Sequence, residues 1–151
     1  MPTNSRLMVM SIHTKHANSI MRGEKTVELR KTRPLVEAGQ PVALYATSPT
    51  RAVVATCVID SVEVGDPREL KDVLLERASI TSAEYDAYFS DSSQCVALHI
   101  RNVSVLSQPI TLDSIRQRRS WHPPQTWHFL NSDRVAAFMG STLRTTLAEP
   151  R

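Results

Sequence analysis

Two long segments with the composition of β-strands limit the folds that this chain can adopt. Residues 51–64 are rich in Val, Ile and Thr, and residues 94–106 alternate between apolar and polar side chains. Strands in globular proteins usually have about five or six residues, so strands of this length must bend or carry a bulge. Long, bent strands in a chain of 151 residues are typical of a small, strongly curved sheet.

Shorter segments complete the predicted sheet. Apolar or alternating patterns predict strands at residues 7–12, 26–31, 41–46 and about 126–130. Three of the six predicted strands follow one another closely in the first half of the chain, which argues against a doubly wound fold with a helix after each strand. The sequence therefore predicts an α+β fold, a small mixed β-barrel of five or six strands with helices inserted at its rim.

Capping signals place helices between the strands. Asp66 and Glu69 form one predicted capping box, Thr81 and Glu84 form a second, and Thr14 is expected to cap the first helix. The predicted helices cover residues 13–22, 66–77, 81–89, 112–116 and 132–140.

Charge is distributed unevenly along the chain. Residues 1–34 carry a net charge of +5, residues 35–100 of −6 and residues 101–151 of +4, which leaves +3 overall. Acidic residues at helix starts account for part of the acidity of the middle. The two basic ends predict a surface that faces a polyanion, and we expect the fold to bring these ends together in one patch.

Length and composition predict one domain over residues 1–140, followed by a flexible tail over residues 141–151. No apolar run approaches the roughly 18 residues that a membrane span needs, and no secretory signal is evident. Cys57 and Cys95 are expected to be buried free thiols. These features predict a cytoplasmic protein without a membrane partner, and its oligomeric state stays open. His13 and His16 lack a third ligand nearby and are expected to face solvent, so no metal site is predicted.

A short motif after the first predicted helix carries the clearest chemical signal. Gly23 is placed to end the helix, and Lys25 stands in the turn that follows. Glu28 and Arg30 then project from one face of the next strand, about 6–7 Å apart along it. One interpretation is a half-buried surface strand whose Glu and Arg neutralise each other. The other is a polar pocket wall that binds an anionic or carbonyl group, in which the carboxylate accepts hydrogen bonds from a base edge or orients the arginine.

The spacing Gly23-x-Lys25-x-x-Glu28-x-Arg30 resembles the G-x-K-x-x-E-x-R motif of ASCH domains, which belong to the PUA-like superfamily. Two further segments follow in the order of that family. Residues 42–49 (VALYATSP) resemble a strand end in ASCH proteins that are described as transcriptional regulators, and residues 123–127 (PPQTW) resemble the family's closing segment. The resemblance extends over about residues 7–131.

This resemblance implies a cleft beside the motif that binds RNA, a nucleotide or a nucleoside through recognition of a base, with a regulatory role as a further expectation. Aromatic and basic side chains elsewhere are expected to contribute. Trp121 follows the basic run 116–119 in a loop and is the better candidate for base stacking, while Trp127 is expected to pack. The candidate binding residues are Lys25, Glu28, Arg30, Lys31, Tyr45, Ser48, Arg118, Trp121 and Gln125.

The alternative is an enzyme, because the resemblance extends to members that hydrolyse acylated cytidine nucleosides and to others described as ribonucleases. Lys25 matches the motif lysine that acts as a base or activator in the amidohydrolases, whereas Glu28 stands where those enzymes have threonine. As a base near neutral pH, Lys25 would need a lowered pKa, and Glu28 would serve as general acid or base. The expected ribonuclease is metal-independent and needs no cofactor. A third hypothesis is a protein-interaction module without nucleic acid.

Overall fold

The computed structural model describes residues 6–140, so the predicted tail over residues 141–151 lies outside the described part of the chain. Six strands and five helices alternate along it. They are β1 (Arg6–Ile12), α1 (Thr14–Met21), β2 (Val27–Arg30), β3 (Gln40–Ala46), β4 (Ala52–Gly65), α2 (Pro67–Ala78), α3 (Ser82–Tyr88), β5 (Cys95–Thr111), α4 (Leu112–Arg118), β6 (Trp127–Asn131) and α5 (Ser132–Met139). The predicted α+β class is confirmed.

The strands form one mixed sheet in the order β2-β5-β4-β3-β1-β6. Strands β1 and β3 are parallel, and the other neighbours are antiparallel. The register between β4 and β5 shifts at three places, as expected for long strands that bend. Strand β5 is longer than predicted and continues to Thr111. The sheet is barrel-like but not closed, because its edge strands β2 and β6 do not pair with each other.

The two faces of the sheet bury different cores. Met8, Met10 and Ile12 of β1 point to the face that α1 covers. Leu7 and Val9 point to the opposite face, which α4 and α5 cover. A third core lies between β2, β5 and the pair α2 and α3. Both cysteines are buried free thiols, as predicted. Within residues 6–140, no helix is both long and apolar enough to cross a bilayer.

The predicted helix caps are confirmed at α3, confirmed in part at α2 and wrong at α1. Thr81 and Glu84 form the predicted reciprocal capping box. Asp66 caps α2 by accepting from the backbone N–H of Arg68 at 2.8 Å. The predicted reciprocal bond, in which the carboxylate of Glu69 accepts from the backbone N–H of Asp66, is not made. The predicted cap at Thr14 is wrong, because its hydroxyl donates to the carbonyl oxygen of Thr47 at 2.9 Å. That bond ties the start of α1 to the turn after β3.

Candidate functional site

A cavity of about 300 Å³ opens where the parallel strands β1 and β3 end. Helices α1 and α3 and the strand β2 form its sides. Its lining residues are Ser11, Ile12, His13, His16, Lys25, Glu28, Leu29, Arg30, Thr47, Ile80, Glu84, Tyr88 and Gln125. Three of the four residues that define the motif, Lys25, Glu28 and Arg30, therefore lie in one concave site, which is the usual form of a small-molecule or base-binding site.

The chain between α1 and β2 places the motif in this cavity. Gly23 has a φ of 80°, a left-handed conformation that favours glycine and lets the chain turn directly after α1. The backbone N–H of Lys25 then donates to the carbonyl oxygen of Ser19 at 3.1 Å. All four residues of β2 are buried. Helices α2 and α3 pack on one face of the strand, and the side chains of the other face line the cavity. The half-buried surface strand that the alternation predicts is therefore wrong.

Glu28 lies between two cations on the floor of the cavity. Its Oε2 is 3.0 Å from Nη2 of Arg30, and its Oε1 is 3.4 Å from Nζ of Lys25. The side chains of Glu28 and Lys25 are 9% and 2% exposed, so both charges are removed from bulk water. Two positive groups and one negative group leave the floor with a net positive charge, and the second carboxylate of the lining, Glu84, is paired with Lys15. The floor therefore favours a ligand with anionic or carbonyl oxygens.

The ammonium group of Lys25 is held from a second direction by the end of α2. Its Nζ donates to the carbonyl oxygen of Ala78, the last residue of that helix, at 2.8 Å. Burial lowers the pKa of Lys25, and the carboxylate of Glu28 opposes part of this effect. The enzyme hypothesis requires a lowered pKa of Lys25, and this shift has that direction.

Two buried polar atoms of the site have no hydrogen-bond partner among the described residues. They are Nε of Arg30 and Nδ1 of His16, and both residues line the cavity. Burial lowers the pKa of His16, and the ammonium group of Lys25 acts in the same direction, so the imidazole is neutral near pH 7. Unpaired buried polar atoms cost free energy, and a ligand in the cavity would satisfy them.

Some predicted site residues lie at the cavity and others do not. Gln125 is exposed and belongs to the lining. Lys31 is directed away, because its ammonium group pairs with Asp91 at 3.0 Å and lies over the ring of Tyr88. Ser48 is exposed in the turn after β3 and is not among the lining residues.

The two predicted aromatic residues are part of a core. Tyr45 and Trp121 are 2% and 5% exposed, and their ring centroids are 5.4 Å apart in an edge-to-face arrangement. The indole of Trp121 also packs on Phe138 and donates from Nε1 to Nε2 of His128 at 3.1 Å. The prediction of Trp121 as an exposed stacking platform is therefore wrong, since its ring holds α5 against the sheet. Trp127 is half-buried and packs against the core beside α1, in line with the prediction.

Arg118 also has a different role from the predicted one. Its Nε and Nη2 donate to the carbonyl oxygens of Ala137 and Phe138, both at 2.9 Å, at the end of α5. Arg30, by contrast, is buried in the cavity wall. The two arginines therefore do not form one exposed basic patch, because Arg30 is buried and hydrogen bonds hold the guanidinium of Arg118 on α5.

The structure adds site residues that sequence reasoning missed. His16 and His13 were expected to face solvent, yet both line the cavity, although His13 is exposed. Tyr88, which is 39% exposed, forms one wall. Its helix follows the motif by more than 50 residues, and no local pattern connects the two. Thr47 also lines the cavity, and it belongs to the segment 42–49 that the family resemblance includes.

Comparisons with known proteins agree with this fold and motif. The family model described as the ASCH domain matches residues 10–105, which is more than half of the chain. The chain belongs to the ASCH domain family. The motif in β2 and most of the cavity lie within the matched residues of this ASCH domain.

Individual relatives extend the likeness over nearly the whole ASCH protein. It is 27% identical over 135 residues to an "ASCH domain-containing ribonuclease" of Zymomonas mobilis, with 89% of this chain and 90% of the relative covered. The crystal structure of ASCH from Zymomonas mobilis has a TM-score of 0.81 at 26% identity and covers 87% of this chain and 92% of that one. A serine-to-alanine variant from the same organism gives 0.83 at 25% identity, covering 97% and 99%.

A more distant structure shares the fold alone. The N-terminal domain of Staphylothermus marinus McrB has a TM-score of 0.52 at 13% identity and covers 87% of this chain and 92% of that domain. Within residues 6–140 of this ASCH protein, no group of three or more His, Cys, Asp or Glu side chains is arranged to hold a metal ion.

Proposed function

We propose that this ASCH protein binds RNA and holds one nucleobase or nucleotide in the cavity beside the motif. The observation that carries the proposal is the pair of unpartnered buried polar atoms, Nε of Arg30 and Nδ1 of His16, beside a cavity with a positively charged floor. Arg30 offers a donor to a carbonyl or phosphate oxygen, and the neutral imidazole offers a donor or an acceptor. The exposed ring of Tyr88 gives a base an apolar wall on which to pack.

Binding is tested with short, fluorescently labelled single-stranded RNA at low salt. A variant with His16→Ala and Gln125→Ala removes two lining groups that form no described bond to the rest of the fold. We expect about tenfold weaker binding, since each lost neutral hydrogen bond costs about 0.5–1.5 kcal/mol.

The matched control carries Asn18→Ala and Ser104→Ala, which are exposed and outside the lining. It is expected to bind as the wild type does. Equal losses in the two variants would move the binding site away from the cavity, and no RNA binding by the wild type at low salt would reject the function itself.

RNA cleavage is a second candidate, and the nearly full-length likeness to a protein named as a ribonuclease favours it. In the cavity, the carboxylate of Glu28 would take the proton of a 2′-hydroxyl, and the 2′-oxygen would attack the adjacent phosphorus. The bond to the 5′-oxygen then breaks, and the ammonium of Lys25 would protonate that oxygen. The lowered pKa of Lys25 makes it the better acid, and Arg30 lies close enough to Glu28 to stabilise the phosphorane charge.

Cleavage is tested on end-labelled single-stranded RNA with chelator or with added divalent metal ions. The same RNA with 2′-O-methyl groups should resist cleavage, and Lys25→Met should be inactive while it stays folded by circular dichroism. Equal cleavage of the methylated RNA would contradict attack by the 2′-oxygen, and an active Lys25→Met variant would contradict the assigned acid. Acylated cytidine in a parallel assay tests the amidohydrolase alternative.

The remaining expectations stay predictions. They are a regulatory role, recognition of a specific modified base, a cytoplasmic location, one domain over residues 1–140 and activity without a cofactor.

A further inference from the structure

The basic side chains of the described residues fall into two groups that differ in their partners. Eight of them form an ion pair with a carboxylate, among them Lys15 with Glu84 and Arg101 with Asp60. The pairs of the acidic middle neutralise their own part of the surface. Eight arginines have no carboxylate within ion-pair distance among residues 6–140. Four of them are scattered along the chain, at Arg6, Arg33, Arg77 and Arg134. The other four are in the turn after β3 and in the segment 116–119. They are Arg51, Arg116, Arg118 and Arg119.

Three of these four arginines surround the core that contains Trp121. Burial raises the pKa of Tyr45, and the positive charges of Arg51 and Arg116 oppose this shift. Burial lowers the pKa of His128, and the positive charge of Arg119 lowers it further. Tyr45 and His128 both contact the Trp121 ring. The backbone supplies the geometry: Ala52 pairs with Thr111 at the end of β5, so Arg51 lies beside the first turn of α4. Arg116 is on that helix and Arg119 directly follows it, and these adjoining segments form one face of the molecule.

One backbone and one side-chain hydrogen bond hold the segments of this face in place. The N–H of Leu112 at the start of α4 donates to the carbonyl oxygen of Arg51 at 3.0 Å. Nε of Arg116 donates to the carbonyl oxygen of Trp121 at 3.1 Å. Asp113, in the first turn of α4, is the acidic residue on these segments and forms no ion pair with them. The fold thus places the three arginines on two adjoining segments, where Arg51 and Arg116 are exposed and Arg119 is half-buried.

Two segments connect this face with the cavity. The turn after β3 begins at Thr47, which lines the cavity, and its carbonyl oxygen accepts from the N–H of Arg51 at 3.3 Å. The loop after α4 runs from Arg119 to Gln125, which lines the cavity at its far end. A nucleic acid strand with one nucleotide in the cavity can therefore continue over the face without crossing the acidic helices α2 and α3.

We propose that Arg51, Arg116 and Arg119 form a track for the phosphodiester backbone of an RNA strand that extends from the cavity. This inference rests on the proposed function. It adds the path of the strand outside the cavity and the part of the RNA that the protein contacts there. The aromatic rings beneath the track are buried, so it contacts phosphates and is indifferent to base sequence. Arg118 is not part of it, because its guanidinium is bonded to the end of α5.

The test compares the salt dependence of binding in three variants with a homopolymeric single-stranded RNA of about ten nucleotides. Replacing Arg51, Arg116 and Arg119 with glutamine should reduce the slope of log affinity against log salt by about 2, since each phosphate contact on single-stranded nucleic acid contributes about 0.7. Binding of a mononucleotide, which occupies only the cavity, should stay within twofold of the wild type. The same three positions replaced with lysine keep the charges and should keep the slope.

A matched control removes the same charge from α2 through Arg68→Gln, Lys71→Gln and Arg77→Gln. This helix packs on β2, β5 and α3, and we expect the wild-type slope. An equal change in slope in this control, or an unchanged slope in the glutamine variant of the track, would overturn the track and leave the proposed function standing. A wild type that binds no RNA at low salt would overturn both. Urea unfolding of each variant verifies that the folded protein is compared.

Discussion

Nη2 of Arg30 donates to the carbonyl oxygen of Ser11 at 2.8 Å and so joins β2 to β1, two strands that do not pair in the sheet. The same nitrogen lies 3.0 Å from Oε2 of Glu28. One guanidinium thus bridges the opening of the barrel-like sheet and forms part of the cavity floor. A residue of the motif therefore contributes to the fold and to the site together, and experiments on function must separate these two roles.

Glu28→Gln is expected to destabilise the protein strongly. The change leaves the buried charges of Lys25 and Arg30 without their counter-ion, which costs about 3 kcal/mol in the free energy of unfolding. Urea unfolding followed by circular dichroism measures the loss. Glu24→Gln, which breaks only the exposed pair with Arg22, should leave the midpoint unchanged. A Glu28→Gln variant as stable as the wild type would show that the charge network is not a stabilising element.

The contribution of Glu84 to stability should disappear in acid. The backbone N–H of Thr81, with further help from Lys15, lowers the pKa of Glu84 to about 2 in the folded protein, against about 4.3 in an unfolded chain. The unfolded state then binds the proton first, so stability falls as the pH falls from about 5 towards 2. The advantage of the wild type over Glu84→Gln in urea unfolding should be full at pH 7 and mostly lost at pH 2.5. A difference that does not change with pH would contradict this assignment.

Trp121→Ala should act on stability and not directly on the ligand. The ring is packed among Tyr45, Phe138 and His128, and removing a buried aromatic side chain typically costs about 3–5 kcal/mol. The more conservative Trp121→Phe should retain the fold and bind RNA as the wild type does. Loss of RNA binding in a stable Trp121→Phe variant would restore the stacking role that the structure argues against.

Arg118→Gln should loosen α5. Two charge-assisted hydrogen bonds to the last carbonyl oxygens of that helix are lost, and we expect a decrease of about 1–2 kcal/mol in the free energy of unfolding. Amide hydrogen exchange should quicken within residues 132–139 and stay unchanged in β4. Gln117→Ala, at the exposed neighbouring position, is the control and should change neither. Faster exchange throughout the sheet would instead indicate a global effect.

Local signals in the sequence were sufficient for most elements and for the motif. Lys25, Glu28 and Arg30 share a site because the left-handed Gly23 turns the chain after α1, and a period of two on the strand puts Glu28 and Arg30 on one face. The capping box of Thr81 and Glu84 is equally local. Such signals are readable in one dimension, since every interacting group lies within one turn or one strand of the next.

The tertiary structure decided which polar and aromatic groups face the cavity. His16 and Tyr88 meet the motif only because α1 and α3 pack around the ends of β1 and β2. Trp121 and Arg118 are of residue types common on nucleic-acid surfaces, but Trp121 is buried in the core between α4, α5 and the sheet, and the guanidinium of the exposed Arg118 is hydrogen-bonded to the end of α5. The sequence alone determined the class of fold, the motif and the two basic ends. The assignment of each side chain to core, cavity or surface depended on contacts between distant segments, whose burial and hydrogen bonding no local pattern encodes.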